Sequence, residues 1–210
     1  MIQQYLVGPM KNFSYLILDE AEKKAAIVDP GWEPEFLYRQ VQELNYDLDY
    51  ILLTHGHFDH INGLDWFLSN KKVPIYCSEH EPIDSRISEI HLQRVRHQDI
   101  LKLGQTDIQC FHVPGHSPGG LLFQLNQDLI TGDTLFINAC GRCDLQGSDP
   151  EKLYESLNFI KSLSPHLTLW PGHDYGKKKM DTLGNQKQTN PYLTATTKHE
   201  FLRKRLGLFV

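Results

Sequence analysis

Tyr50-Ile51-Leu52-Leu53-Thr54-His55-Gly56-His57-Phe58-Asp59-His60 decides how this chain is read. A short apolar run of strand character delivers the backbone into three imidazoles and one carboxylate. Histidine nitrogens and aspartate oxygens suit divalent first-row metals such as zinc and iron. One ion cannot easily take all four donors from so tight a loop, which points to two adjacent metal sites. A histidine-rich surface turn is the plain alternative. It accounts for one or two imidazoles, but not for this spacing together with the ligands supplied downstream.

Those ligands follow as punctuation. Pro114-Gly115-His116-Ser117-Pro118-Gly119-Gly120 comes after a strand expected over Asp107 to Val113. Thr131-Gly132-Asp133-Thr134 closes a strand from Leu121 to Ile130 that a turn at Asn126-Gln127-Asp128 interrupts. Pro171-Gly172-His173-Asp174-Tyr175 follows the run Leu167-Thr168-Leu169-Trp170. Each time a strand ends, a glycine lets the backbone turn, and one ligand-capable side chain is presented. One such strand end is commonplace; four in one chain make a pattern.

The pattern His55-x-His57-x-Asp59-His60, then His116, Asp133 and His173, resembles the metallo-β-lactamase superfamily, with Ile27-Val28-Asp29-Pro30-Gly31 as its early strand end. Within it the chain looks most like the glyoxalase II-type (hydroxyacylglutathione hydrolase) enzymes, from about Phe13 to Leu193. The resemblance implies an α/β fold, the αββα sandwich: two mixed sheets flanked by helices, with the metals at the strand ends. It implies that His55, His57 and His116 hold one metal, that Asp59, His60 and His173 hold a second, and that Asp133 bridges them. Asp59 and Asp133 are then the catalytic carboxylates, and two zinc ions, or iron, or one of each, are the expected cofactors. Asp29 is read as an outer anchor for the metal loop, or equally as a capping aspartate in the turn before Pro30-Gly31.

Length and composition agree with a soluble enzyme. At 210 residues the chain can bury a sizeable core, and a single domain over residues 1–210 is expected, with a short helical tail from about 190. A formal charge of -5 with no extended basic run argues against nucleic acid as a partner. No apolar stretch approaches bilayer length, and Met1-Ile2-Gln3-Gln4-Tyr5 lacks the basic and apolar regions of a signal peptide. Four scattered cysteines do not make a disulfide framework, so a reducing cytoplasm is expected. Oligomeric state is left open.

Strands are expected at Tyr15–Leu18 and Ala25–Val28, joined as a hairpin through Asp19–Lys24. A helix is expected over Glu33–Leu44, with Leu37, Val41 and Leu44 on one face. Another is expected over Asn62–Ser69. A third begins at Asp149-Pro150-Glu151, with Leu153, Leu157 and Ile160 facing the core. Cys140-Gly141-Arg142-Cys143 has no second Cys or His pair at zinc-finger distance and is read as neither a structural zinc site nor a redox pair. His91, Arg94, Arg96 and His97 read as a solvated helix face in preference to an entrance lining, and Lys177-Lys178-Lys179 as a surface run or an anion attractor. His80, His112, His166 and His199 read as structural or exposed.

The implied chemistry is hydrolysis. Two ions about 3.5–4 Å apart lower the pKa of a bridging water from about 15.7 towards 7, and they stabilise the oxyanion formed on attack. A thioester suits such a site, because a thiolate leaves without a strong general acid. The expected partner is an acyl thioester of a small thiol, coenzyme A or a carrier protein; some trans-acting hydrolases of polyketide assembly lines are similar single-domain members of this group. Arg142 matches the basic position that contacts the thiol carrier, and Tyr175 the tyrosine after the last histidine. Asp144 departs from the glyoxalase II pattern, which has an aromatic residue there. It matches the Gly-Arg-x-Asp segment of persulfide dioxygenases, which would bind one iron through His55, His116 and Asp133. That mononuclear dioxygenase is the rival reading.

Overall fold

The computed structural model describes residues 1–83 and 91–207. Strands β1 (Ile2–Val7), β2 (Asn12–Asp19), β3 (Lys24–Val28), β4 (Asp47–Leu52), β5 (Ile75–Ser78) and β6 (Leu92–Val95) lie side by side in chain order. The first three are antiparallel, and β3 to β6 run parallel. A second sheet holds β7 (Ile100–Leu103), β8 (Thr106–His112), β9 (Leu121–Leu125), β10 (Asp128–Gly132), β13 (Thr168–Pro171) and β14 (Asp181–Thr182), ordered β14-β13-β10-β9-β8-β7. Here only the β10–β13 pair is parallel. A small hairpin, β11 (Leu135–Phe136) with β12 (Ala139–Cys140), follows β10.

Side-chain alternation along the strands builds three apolar layers. In β2, Phe13, Tyr15 and Ile17 point between the sheets with Ala26, Val28, Tyr50 and Leu52, and meet Ile108, Cys110, Leu121, Phe123 and Ile130 of the second sheet. Leu16, Leu18, Ile27 and Ile51 face the other way, onto helices α1 (Pro34–Glu43) and α3 (Leu64–Asn70) through Leu37, Val41, Leu64 and Phe67. The outer face of the second sheet, with Leu122, Leu129 and Leu169, packs on α4 (Pro150–Ser162), α5 (Leu183–Thr189) and α6 (Lys198–Leu206) through Leu153, Leu157, Ile160, Leu183 and Phe201. Helices therefore cover both outer faces of a two-sheet core, the αββα arrangement expected. Phe123 has no exposed surface, and truncating such a ring to alanine costs about 3–5 kcal/mol.

Local signals explain most element ends. The β2–β3 hairpin pairs Tyr15 with Val28 and Asp19 with Lys24. Asn126, at φ 52, makes the turn that splits Leu121–Ile130 into β9 and β10. Asp149 caps α4, its carboxylate accepting from the Glu151 and Lys152 amides ahead of Pro150 in the first turn.

Two expectations are corrected. The helix after the metal loop starts earlier, as α2 (Phe58–Ile61), and breaks at Asn62-Gly63 before α3, so Asp59 and His60 are helical residues. Residues 92–95 are strand β6, not a helix face. Pairing with β5 wins over the polar composition, and Arg94, though exposed, donates to the Ser78 and Glu81 carbonyl oxygens. The expected tail contains α6, while residues 208–210 lie outside the described part of the chain. Among the described residues no helix is long and apolar enough to cross a membrane.

Candidate metal centre

All seven sequence-predicted ligands come together at one end of the sandwich, each just past a strand. His55 and His57 follow β4, and Asp59 and His60 sit in α2. His116 follows β8, Asp133 follows β10, and His173 follows β13. Their ligand atoms fall into two compact groups: His55, His57 and His116 in one, Asp59, His60 and His173 in the other. Asp133 lies between. Its Oδ2 is 3.5 Å from His116 Nε2 and 3.2 Å from His173 Nε2, and its Oδ1 is 3.4 Å from His60 Nε2. Gly172 makes this approach possible, because a Cβ there would stand 2.2 Å from Asp133 Oδ1.

An oxygen on the far side of four of these rings fixes how each faces the centre. His60 Nδ1 donates to Asp29 Oδ2 at 2.9 Å, His116 Nδ1 to the Arg142 carbonyl at 2.8 Å, and His173 Nδ1 to the Met10 carbonyl at 3.0 Å. The Thr54 hydroxyl donates to Asp29 Oδ2, so at 3.0 Å from His55 Nδ1 its oxygen accepts from that ring. Carbonyl and carboxylate oxygens only accept, so in the neutral rings the proton sits on Nδ1 and the Nε2 lone pair points inward. Asp29 is thus the outer anchor, its side chain holding His60 and the amide and hydroxyl of Thr54; in the turn before Gly31 it is the Asp29 backbone carbonyl that accepts the Gly31 amide.

The donor set fits a divalent metal. His55 Nε2, His116 Nε2 and Asp133 Oδ1 are buried and reach no hydrogen-bond partner. Asp133 Oδ1 does lie 3.4 Å from His60 Nε2, but that contact makes no hydrogen bond. Leaving a buried polar atom unpaired costs about 1–3 kcal/mol, and a cation held among these lone pairs removes that cost. The electrostatics agree. Burial pushes His55 well below the usual imidazole range, as does its proximity to other imidazoles, and burial takes His57 down to about 4. These rings are neutral and ready to coordinate. Burial works against both Asp59 and Asp133, yet neighbouring His60 and His173 hold both carboxyls below the ordinary carboxylate value.

Arg142 and Tyr175 flank the cluster. Tyr175 is stacked on His173, centroids 4.5 Å apart and planes 9° apart, with 56% of its surface exposed. The Arg142 guanidinium is exposed and forms a two-pronged pair with Asp144, at 2.9 and 3.0 Å. Of the lysine run, Lys178 pairs with Asp181. Cys140 and Cys143 are buried free thiols, and burial pushes both up, so neither is poised as a thiolate. His80, His166 and His199 are exposed, and His112 is half-buried with Nε2 on the Pro118 carbonyl.

Sequence reading missed two residues. Asn12, buried in β2, donates from Nδ2 to Asp59 Oδ2 at 2.8 Å and accepts from Trp32 Nε1 through Oδ1. Glu81, buried after β5, accepts from Gly56 and Gly119 amides and the Ser117 hydroxyl. Neither carries a spacing signal, because both partners are remote in sequence.

Comparison with known proteins agrees with this geometry. The family model described as the metallo-beta-lactamase superfamily matches residues 7–173. A probable polyketide biosynthesis zinc-dependent hydrolase, PksB of Bacillus subtilis, is 32% identical over 209 residues, covering 96% of this chain and 93% of its own. The hydroxyacylglutathione hydrolase GloC of Haemophilus influenzae is 31% identical, covering 86% and 92%. The mouse persulfide dioxygenase ETHE1 is 30% identical, covering 97% of this chain and 79% of its own. Its relatives thus include both hydrolases and a dioxygenase, and the chain itself belongs to the metallo-β-lactamase superfamily.

Proposed function

We propose that this chain is a metal-dependent hydrolase that cleaves an acyl thioester of a small thiol or a carrier protein. In this reading His55, His57 and His116 hold one ion, Asp59, His60 and His173 a second, and Asp133 spans both. The observation that carries it is the division of donors into two groups of three, with one carboxylate in reach of each. When bound, two such ions supply Lewis-acid activation of water and of the acyl carbonyl. The name of the Bacillus relative favours zinc.

The chain's own residues suit this role. The outer oxygens on Nδ1 of His55, His60, His116 and His173 turn four Nε2 atoms inward before any ion arrives, so the rings need little reorientation. Asn12 fixes the rotamer of Asp59. Beside the cluster, Phe58 and Met10 are 57% and 47% exposed, and the Phe58 ring meets Trp32 edge-on at 5.8 Å. That apolar margin suits an acyl chain. Arg142 and Tyr175 offer a cation and a hydroxyl to a polar thiol carrier. A thiolate leaves without a strong acid, in keeping with a site whose inward nitrogens are lone-pair donors.

Metal analysis of protein purified without added metal, paired with thioester hydrolysis, tests the proposal. About two zinc ions per chain and hydrolysis of an acyl thioester are expected. One iron per chain with oxygen uptake on a persulfide would replace this reading with the dioxygenase, which Gly141-Arg142-Cys143-Asp144 and the likeness to ETHE1 favour.

A further inference from the structure

Three segments far apart in sequence meet at one buried carboxylate. Glu81 is 4% exposed. Its Oε1 accepts the Gly56 amide at 2.7 Å, between the two ligands His55 and His57. Its Oε2 accepts the Ser117 hydroxyl at 2.9 Å and the Gly119 amide at 2.7 Å, directly after the ligand His116. The backbone of Glu81 is itself fixed: its amide donates to the Ser78 carbonyl at 3.1 Å, and Arg94 Nη1 donates to its carbonyl at 3.0 Å. The fit is tight, because a Cβ on Gly119 would stand 2.4 Å from the Glu81 nitrogen. The second donor group is held by other residues: Asp59 by Asn12, His60 by Asp29, and His173 by the Met10 carbonyl.

We infer that Glu81 is a positioning residue for one metal site only. It sets the separation and angle between the His55-Gly56-His57 loop and the His116 loop, and leaves the Asp59, His60 and His173 group to its own anchors. This rests on the two-metal reading above. The physical reason is that His55 and His57 arrive from one sheet and His116 from the other. Hydrogen bonds from both loops to a single rigid carboxylate remove most of their relative freedom before an ion binds, so the ion need not supply that ordering.

The test uses single-site backgrounds. His57→Ala disables the first group and leaves the second; His173→Ala does the reverse. Zinc is titrated into each metal-free protein against a chromogenic chelator, with and without Glu81→Ala. Added to His173→Ala, Glu81→Ala is expected to weaken zinc binding about 10–100-fold, the usual effect of losing an outer partner. Added to His57→Ala, it is expected to change nothing. Glu81→Gln keeps one acceptor oxygen, so it should give a smaller loss in the first background, and it carries the test if the alanine variant does not fold. Equal weakening in both backgrounds would show that Glu81 serves general stability, and no weakening in the His173→Ala background would show that it does not position the loops; either overturns the inference. If His57→Ala alone removed no zinc-binding step, the metal reading itself would fall instead.

Discussion

Nε2 of His60 and Nε2 of His173 face each other across 3.3 Å, each ring turned there by an oxygen acceptor on its other nitrogen. Two lone pairs aimed into one gap call for a cation between them. In the metal-free protein a proton on His173 Nε2 supplies the charge, directed at the Asp133 and Asp59 carboxylates. Burial opposes the proton, but hydrogen bonds to the Asp133 and Asp59 carboxylates outweigh burial and raise His173 to about 10.

Metal-free protein should therefore be most stable near pH 6.5 and lose stability on either side. The folded pKa of His173 is above its unfolded value of 6.5, so its contribution is complete below 6.5 and is lost as pH climbs towards about 10. Burial depresses His57 from 6.5 to about 4, so as pH falls through that window the unfolded chain takes up the proton first and is favoured. Thermal unfolding against pH, for chelator-treated and zinc-loaded protein, checks this. The alkaline decline should vanish in the loaded form, where Nε2 of His173 has no proton to lose. An alkaline decline of equal size in both forms would contradict the assignment.

Asp59→Ala separates the two enzyme readings. Asp59 belongs to the second donor group and lies 3.3 Å from His173 Nε2. In the dinuclear hydrolase the variant should keep about one ion and lose about 10²-fold or more in kcat, because one of the two activating charges is gone. Metal content and thioester turnover measured together decide it. Near-normal turnover with one bound ion would overturn the dinuclear reading.

The ligands were legible because each is a local event: a β-strand ends, a glycine or a helix start turns the chain, and a donor follows within a few residues. The central strands were legible for the same reason, since Ala25–Val28 is a continuous apolar run and Leu167–Trp170 is apolar but for Thr168. Strand β1, Ile2-Gln3-Gln4-Tyr5-Leu6-Val7, is an edge strand whose partial exposure mixes polar and apolar positions, and nothing in that mixture separates it from a loop. Strand β6 has two exposed central positions, Gln93 and Arg94, so its composition resembled a solvated helix until pairing with β5 fixed it. Glu81 and Asn12 were invisible for a different reason. Their partners stand 20 to 47 residues away, and only the completed fold brings them together.

Phe58→Ala should flatten the dependence of rate on acyl length. Phe58 is 57% exposed between two ligands, His57 and Asp59, and its ring contacts Trp32. Each buried methylene of an acyl chain contributes about 0.8 kcal/mol, so two methylenes against this wall change kcat/KM by roughly tenfold in the wild type. In the variant the gain from lengthening the acyl group should shrink to about twofold, with zinc content unchanged. Equal slopes for both proteins across a series of acyl lengths would place the acyl group elsewhere.

Arg142→Ala should impair recognition of the thiol carrier and spare both metal content and chemistry. The structure separates two roles at this residue. The backbone carbonyl orients His116 at 2.8 Å, and the alanine variant keeps it. The exposed guanidinium pairs with Asp144, which is equally exposed. An anionic carrier, such as a phosphopantetheine or a glutathione carboxylate, competes with Asp144 for the same two donors. Losing that charge-assisted contact should lower kcat/KM by about ten- to a hundredfold for a full carrier thioester. A truncated acyl thioester that lacks the anionic part should lose less than about twofold, because it never reached Arg142. Asp144→Asn supplies the converse measurement. It frees the guanidinium from its intramolecular partner and should leave the carrier thioester as good a substrate or better. Equal losses on both substrates with Arg142→Ala, or a fall in zinc content, would show that the side chain holds the loop and does not bind the carrier.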